Sequence, residues 1–593
     1  MELTEHRWQT DVVVAGGGAA GVPAALAAAR NGAKVVLIQD RSVLGGNSSS
    51  EVRMHIVGAD RHGNVPHARE AGLIEELRLE DAVWNPQRSS HMWDQLLLDK
   101  VVSEPNITLL LNTSVDGVVL AGRRISAVTA ARPALEERFV IEAPIFVDCT
   151  GDSRLGVEAG ADFRMGREGR NEYGEDLAWV TEADHQTLGS SILFTARQHD
   201  RPMRFKAPAW ARRYATCEEL PFRPHTSFEY GYWWIEWGGQ LDTIKDNDTI
   251  RHELTRITLG VWDHIKNSGR HPESANWALE WVAAIPGKRE SRRLLGPHVL
   301  TQGDLQAGRV FDDEVAYGGW AIDEHPPEGI DNPGKPFVPT PVPLYSIPWR
   351  CLYSRNVENL CMAGRNISAS HVAFASTRVM ATCAVVGQAA GTAAALCARH
   401  GLLPAALCGD RLAELQQTLL RDDAYLLGTR NSDPADLARC AAVTASSEQP
   451  GSAATNIHSG VTRQVGEESN AWHSAPLAGG PAWLELRWPQ AQQVGSVQCV
   501  FDSGFARQLT LTMSDSHNAR QVRAAQPETV RDYRVEAEVD GAWRTLAEVH
   551  GNYQRRRLHA VDPVAATALR LSVTATNGAP EARLFEVRAY AAK

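Results

Sequence analysis

The 593-residue sequence predicts an α/β domain built on a doubly wound parallel sheet, interrupted by an α+β insertion and followed by an all-β sandwich. Three observations predict it. Near the N-terminus a short apolar run passes through clustered glycines into an alanine-rich helix. A second helix of small residues starts near Thr377. Beyond about Arg430, helical periodicity gives way to short alternating runs punctuated by polar turns. At roughly 100–200 residues per domain the length accommodates several domains.

The first element is Asp11–Ala15, a continuous apolar run that ends in glycines and reads as a buried strand. GGGAAG follows, with Gly16, Gly18 and Gly21 at GxGxxG spacing around Ala19 and Ala20. VPAALAAARNG is then a helix, with Pro23 in its first turn, Ala25 on the sheet-packing face and Gly32 as its C-terminal stop. A second strand, Lys34–Gln39, completes a βαβ-type unit. Glycines at these places let the backbone turn tightly and approach a pyrophosphate, which rests on the N-terminal end of the helix dipole. The position that usually carries an acid for the ribose hydroxyls is Gln39, with Asp40 next to it. Either the amide takes over that bond or the carboxylate reaches in.

Three further segments carry a resemblance. RSVLGGNSSSEVR supplies a glycine pair, Gly45–Gly46, followed by Asn47. FVDCTGDSRLG runs as a strand into Thr150, Gly151 and Asp152, and Asn359–Cys397 is a strand reaching Gly364, Arg365 and Asn366, then the small-residue helix. Together with GxGxxG these resemble the FAD-dependent oxidoreductase family of the glutathione-reductase-like flavoproteins, over roughly the first 430 residues. The resemblance implies a Rossmann-type FAD-binding domain from residues 1–160 and 344–430, with residues 161–343 inserted as a substrate domain. It implies FAD as cofactor, held by Gly16, Gly18, Ala19, Ala20, Gly21, Gln39, Asp40, Gly45, Gly46, Asn47, Thr150, Gly151, Asp152, Gly364 and Arg365. Val115, after the strand ITLLLNTS, is expected to meet the adenine through its backbone. Relatives often carry an acid where Arg365 stands.

The inserted region is dense in aromatics, most of all in FEYGYWWIEWGG. Strand-like alternation sends Tyr232 and Trp234 to one face and Trp233 and Ile235 to the other. Both faces are apolar, so part of the cluster is core. The rest reads as a stacking wall for a sugar, with Tyr232, Trp234, Trp237 and Trp320 as candidates and Glu229 or Glu236 bonding hydroxyls. GKRESRRLLG is a basic cluster around Glu290: a solvated helix face, an internal ion-pair network, or a seat for an anionic group. Three histidines are candidate bases: His325, in a loop bracketed by glycine and proline; His371, just before the small-residue helix; and His55, after the Gly45–Gly46 turn.

In the C-terminal part, AWLELRWP, SVQCVFD, LTLTMSD, YRVEAEV and ALRLSVTA read as strands. TASSEQPGSAATNIHSGVTR, AWHS, WLELRWP and ARLFEVRAY in that order resemble the discoidin, or factor 5/8 type C, family over residues 440–593. Members often bind carbohydrate. Ser459–Gly460 replaces the Asp-Gly common in relatives, so calcium is not expected there.

With 43% hydrophobic and 22% charged residues the balance is that of a globular chain. Net charge is −11 and there is no basic run, which excludes nucleic acid as an expected partner. No uninterrupted apolar stretch of about 20 residues predicts a membrane span. The first residues lack a basic segment followed by an apolar one, so a cytoplasmic location is expected. Nine cysteines without CxxC give no spacing for a disulfide framework, a zinc site or a dithiol pair, and no metal is expected. The reading is an FAD-dependent oxidoreductase, dehydrogenase or oxidase, that moves hydride from a C–H bond of a small hydroxyl-bearing substrate, a sugar or glycoside, to flavin N5. A flavin-dependent hydroxylase, a redox-assisted glycoside-cleaving enzyme and a non-catalytic glycan-binding protein are the alternatives, and a homo-oligomer stays open.

Overall fold

The computed structural model describes residues 3–592, which divide into two compact units. The first comprises residues up to Arg61, Arg88–Leu415 and Leu511–Ala519. Its centre is a five-stranded parallel sheet of β1 (Val12–Ala15), β2 (Val35–Ile38), β3 (Ile107–Leu110), β4 (Ile145–Asp148) and β5 (Leu360–Met362). Their order across the sheet is β3-β2-β1-β4-β5, that of a doubly wound dinucleotide-binding sheet. Strands buried on both faces must be apolar throughout, and VVVA, VVLI and LCM are.

Helix α1 (Gly21–Arg30) and the long C-terminal helix of this unit pack against each other closely because both are made of small residues. A Cβ on Gly387 or Gly391 would run into the carbonyls of Ala20 and Ala24. The small-residue segment forms two helices rather than one: α3 (His371–Thr377) and α4 (Met380–His400), divided at Arg378 and Val379, with α2 (Asn247–Asn267) lying earlier in the insertion. Among the described residues α4 alone is long and apolar enough to cross a membrane by length and composition. It is buried on all sides within this unit, as an all-round apolar core helix should be.

The inserted region folds as short antiparallel pairs around α2, with Phe194, Trp234, Trp262 and Ile257 in its core. It belongs to the same compact unit as the parallel sheet. The expected separation into residues 161–343 and the rest is therefore a division of topology, not of packing.

The second unit comprises His62–Gln87, Gln416–Thr510 and Arg520–Lys593. Its sheet is antiparallel throughout. AWLELRWP and SVQCVFD, expected as separate strands, form one strand, Ala482–Phe501, paired with Arg556–Thr576. Leu484, Leu486, Trp488 and Val494 point to the core before the register slip at Val494/Ser496, and Val497, Cys499 and Phe501 after it. Across that slip, where a step of two residues on this strand is matched by a step of four on its partner, the apolar set moves from even to odd positions and stays in the core.

Two boundaries differ from the sequence expectation. LTLTMSD makes no ladder; Leu511–Ala519 belongs to the first unit. Residues 62–87, expected within the FAD domain, belong to the second unit, where buried charge ties them in. Fully buried Arg69 bonds Glu75 (2.7 Å) and the Ser503 and Gly504 carbonyls, and Arg523 pairs with Asp81 (2.7 Å). Such pairs are non-local and leave no mark in local periodicity.

Candidate active site

The glycine cluster builds a cradle. Gly16 has φ +96°, and a Cβ on Gly21 would overlap the Gly16 carbonyl, so neither position tolerates a side chain. Gly18 is different: a Cβ there would find only Gly46 Cα at 3.9 Å. Gly18 bridges to Gly45, and two bare glycine faces, Gly18 and Gly46, stand opposite each other. Above them α1 begins at Gly21, its N-cap Ala20 offering no side-chain cap and its first turn no acid, so its end presents backbone N–H groups to an anion. A pyrophosphate fits these residues.

Gln39 is committed elsewhere than the ribose. Its Oε1 accepts from Gly17 N (2.7 Å) and its Nε2 donates to Val43 O (3.0 Å), so the amide locks the glycine loop to the turn after β2. Asp40 is exposed beside it. Val115 sits in the four-stranded sheet opposite Ala130, next to a register slip.

At the end of β4, Asp148 accepts from Thr150 N and Oγ1 and from Gly156 N, shaping the Thr150–Gly151 turn. Asp152 is held by Arg365 (2.5 Å), Lys288 (2.5 Å) and Ser291 Oγ (2.8 Å). Against a burial that would raise it, the two cations hold its pKa down to about 2. Arg365 is thus paired with Asp152. Gly364, at φ +113°, lies across from Ala20, and Asn47 donates to Lys288 O (3.0 Å).

The segment expected as a possible helix face, Gly287–Gly296, is extended and largely buried, and it is an internal ion-pair network. Lys288 reaches Asp152. Arg289 reaches Glu236 (3.5 Å), and Glu290 Oε1 lies 3.0 Å from His371 Nδ1. Successive residues of one strap therefore join the Asp152 turn to two histidine clusters.

In the first cluster His325 Nδ1 lies 2.7 Å from Glu236 Oε2 and Nε2 3.3 Å from Asp323 Oδ2, with Arg378 at 3.2 Å. Burial would lower its pKa, but the two carboxylates outweigh burial and raise it. In the second cluster Glu290 is gripped by buried Arg293, which also binds Glu168 (2.7 Å), and Glu168 accepts the His371 backbone N–H (2.7 Å). Here too burial opposes and Glu290 wins, raising the His371 pKa. Each of three elements serves both clusters: the strap through Arg289 and Glu290, the strand Ile322–Glu324 and its next residue through Glu324 and His325, and α3 with the residue after it through His371 and Arg378. The third candidate, His55, lies apart from both clusters' partners, stacked on His517 (5.5 Å) and near Tyr230 (5.9 Å).

Burial raises the Glu324 pKa from 4.5 to about 7. Between those values the folded state holds a proton that the unfolded state has released, so stability falls as pH rises through that window, by about 3 kcal/mol. Glu324→Gln is expected to remove most of this slope, read as the thermal midpoint between about pH 5 and about pH 7.5.

The aromatic wall is corrected. Tyr232 and Trp234 do share a side, stacked at 4.8 Å and 3°, but they stack inside the core, with Tyr232 Oη bonded to Ser227 O and Trp234 Nε1 to Pro224 O. Only Glu236–Trp237 of that segment is strand. Trp237 Nε1 donates to Asp331 (2.8 Å). Trp320 accepts the Ser376 hydroxyl through its carbonyl. The aromatics beside the His325 imidazole are Trp233, edge-on at 5.6 Å, and Phe337, tilted at 6.3 Å. Arg378, Asp323 and Glu168 were not visible in the sequence pattern; Glu290 was, as the one acid inside a basic run.

A family model described as FAD dependent oxidoreductase matches residues 11–419. Solved structures similar to part of the chain include three carbohydrate-binding modules. One is the family 32 module of Streptococcus pneumoniae EndoD, 19% identical, covering 26% of this chain and 99% of its own, with TM-score 0.21. Another is the family 32 module of C. perfringens NanJ in complex with galactose, 16% identical, covering 26% and 95%, with TM-score 0.20. The third is a chitosan-binding module from Paenibacillus sp. IK-5, 19% identical, covering 26% and 98%, with TM-score 0.20.

Proposed function

The chain belongs to the FAD dependent oxidoreductase family, and from that premise we propose that it oxidises a C–H bond bearing a hydroxyl on a small polyhydroxylated substrate, with His371 as the base. Bound flavin supplies the hydride acceptor. The observation that supports this reading is the strap Lys288–Glu290, which joins the Asp152 turn of the cofactor cradle to the Glu290–His371 pair.

The two histidines suit different tasks. His325 has carboxylates at both ring nitrogens, so it serves best as a fixed cation that orders Glu236 and Asp323. His371 is oriented through Nδ1 by Glu290, which leaves Nε2 as the atom that takes a hydroxyl proton while the C–H bond is cleaved. Glu290, locked by Arg293, stabilises the resulting imidazolium. The closely set carboxylates and guanidiniums, Glu236, Asp323, Arg289 and Arg378, match a substrate recognised through many hydroxyls. The sequence resemblance of residues 440–593 to the discoidin family supports the same substrate class.

The test is anaerobic. Sugars and glycosides are added in turn to the flavin-loaded chain, and the flavin absorption is followed. Bleaching by one class with no added nicotinamide is the expected result. Bleaching only by NAD(P)H, with oxygen consumption, would replace this reading with a hydroxylase.

A further inference from the structure

Four residues that the sequence scatters meet in the inserted region: Cys217, His225, His264 and His271. Their ligand-type atoms all lie within 4.8 Å of one another, and the three histidines are buried. From this geometry we infer that the chain holds a structural zinc ion between one thiolate and three imidazoles, separate from the flavin chemistry.

The distances fit a tetrahedral ion. Zn–S of about 2.3 Å and Zn–N of about 2.0–2.1 Å place sulfur and nitrogen about 3.6 Å apart. Cys217 Sγ lies 3.5 Å from His264 Nε2 and 3.9 Å from His271 Nε2. The three imidazoles surround a common point, with centroids 4.9–5.3 Å apart and planes at 70–74°.

Proton placement argues the same way. His264 Nδ1 faces the Tyr214 carbonyl (2.9 Å) and His225 Nδ1 the Arg223 carbonyl (2.6 Å). A carbonyl only accepts, so both Nδ1 atoms carry the proton and both Nε2 atoms are lone pairs. His271 Nδ1 has the Glu273 carboxylate at 3.6 Å. A carbonyl or carboxylate behind each ring is the arrangement that orients metal-bound histidines. One thiol proton cannot satisfy the inward lone pairs of three neutral imidazoles, whereas a divalent cation can.

Four protein ligands close the coordination shell, which marks a structural site. A thiolate with three imidazoles favours zinc over calcium or magnesium. The ion would pin the last turn of α2 and the turn after it to the loop from Cys217 to His225. That loop carries Leu220, Arg223 and Pro224, one wall of an open groove whose other wall is Lys335–Phe337. Phe337 packs edge-on against Trp233 at 4.9 Å. The zinc would therefore stiffen a surface leading to the His325 cluster.

The test uses the full, flavin-loaded chain, purified under reductant without metal-chelating resin. Elemental analysis is expected to give about one zinc per chain, falling below about one tenth in Cys217→Ser and His264→Asn. Flavin content reports whether each variant has folded. Independently, the unsubstituted chain is stripped with chelator and titrated with Co2+. Ligand-field bands of tetrahedral cobalt in the red, clear of flavin absorption, should saturate near one equivalent and vanish on adding Zn2+. A stripped chain giving only the weak spectrum of hydrated cobalt would overturn the site, as would zinc retained in full by both folded variants. Should the variants fail to fold, the cobalt titration alone decides.

Discussion

Replacing His371 by asparagine is expected to slow substrate-driven flavin reduction by about 10²–10⁴-fold, the range for removing a positioned general base. Flavin content is expected to stay near that of the unsubstituted chain, while loss of the buried His371–Glu290 pair lowers the thermal midpoint. Ser370, whose side chain accepts from Ala373 N, continues to cap α3. The pH profile carries the sharper test. Glu290 raises the His371 pKa above its ordinary 6.5, so the reductive rate should fall on an acid limb that lies above that value. Glu290→Gln withdraws the charge that favours imidazolium, so the limb moves to lower pH while the plateau rate drops. A structural role for Glu290 would change the plateau and leave the limb in place. His325→Asn is the control: it uncovers Glu236 and Asp323 and lowers stability, but should not move the limb. If His325 is the base instead, the two histidine variants exchange these outcomes.

How much of this the sequence disclosed depends on the range of the interaction. The glycine cradle was legible because its geometry is local. The clash that forces glycine at position 21 is with the Gly16 carbonyl, five residues away, and α1 follows directly. The histidine clusters were legible in part: all three histidines could be picked as candidates, yet their partners lie 81 and 89 residues off in the chain, at Glu290 and Glu236. Period-2 reasoning set Tyr232 and Trp234 on one side correctly but could not tell a core from a cleft, since both reward aromatic surface. Cys217, His225, His264 and His271 come from a loop, a helix end and a turn, so no spacing rule for a zinc motif applies to them.

Two glycines of the cradle separate a cofactor contact from a folding requirement. Gly21→Ala and Gly18→Ala are both expected to lose flavin, for different reasons. At position 21 the added methyl would overlap a backbone carbonyl that cannot rotate away, and β1, the glycine loop and α1 must shift together. Overpacking of that kind costs about 1–3 kcal/mol or more, so the flavin-free variant should unfold at a lower temperature than flavin-free unsubstituted chain. At position 18 the methyl meets nothing closer than Gly46 Cα at 3.9 Å. The apo-protein should therefore keep its thermal midpoint, and the methyl should intrude only where the pyrophosphate approaches the bare backbone. Binding is expected to weaken by at least about tenfold, which corresponds to about 1.4 kcal/mol. The measurement is a flavin titration followed by fluorescence quenching, with thermal unfolding of both apo-proteins beside it. Undiminished binding in Gly18→Ala would mean that the dinucleotide passes elsewhere, and that the open space between Gly18 and Gly46 is not its seat.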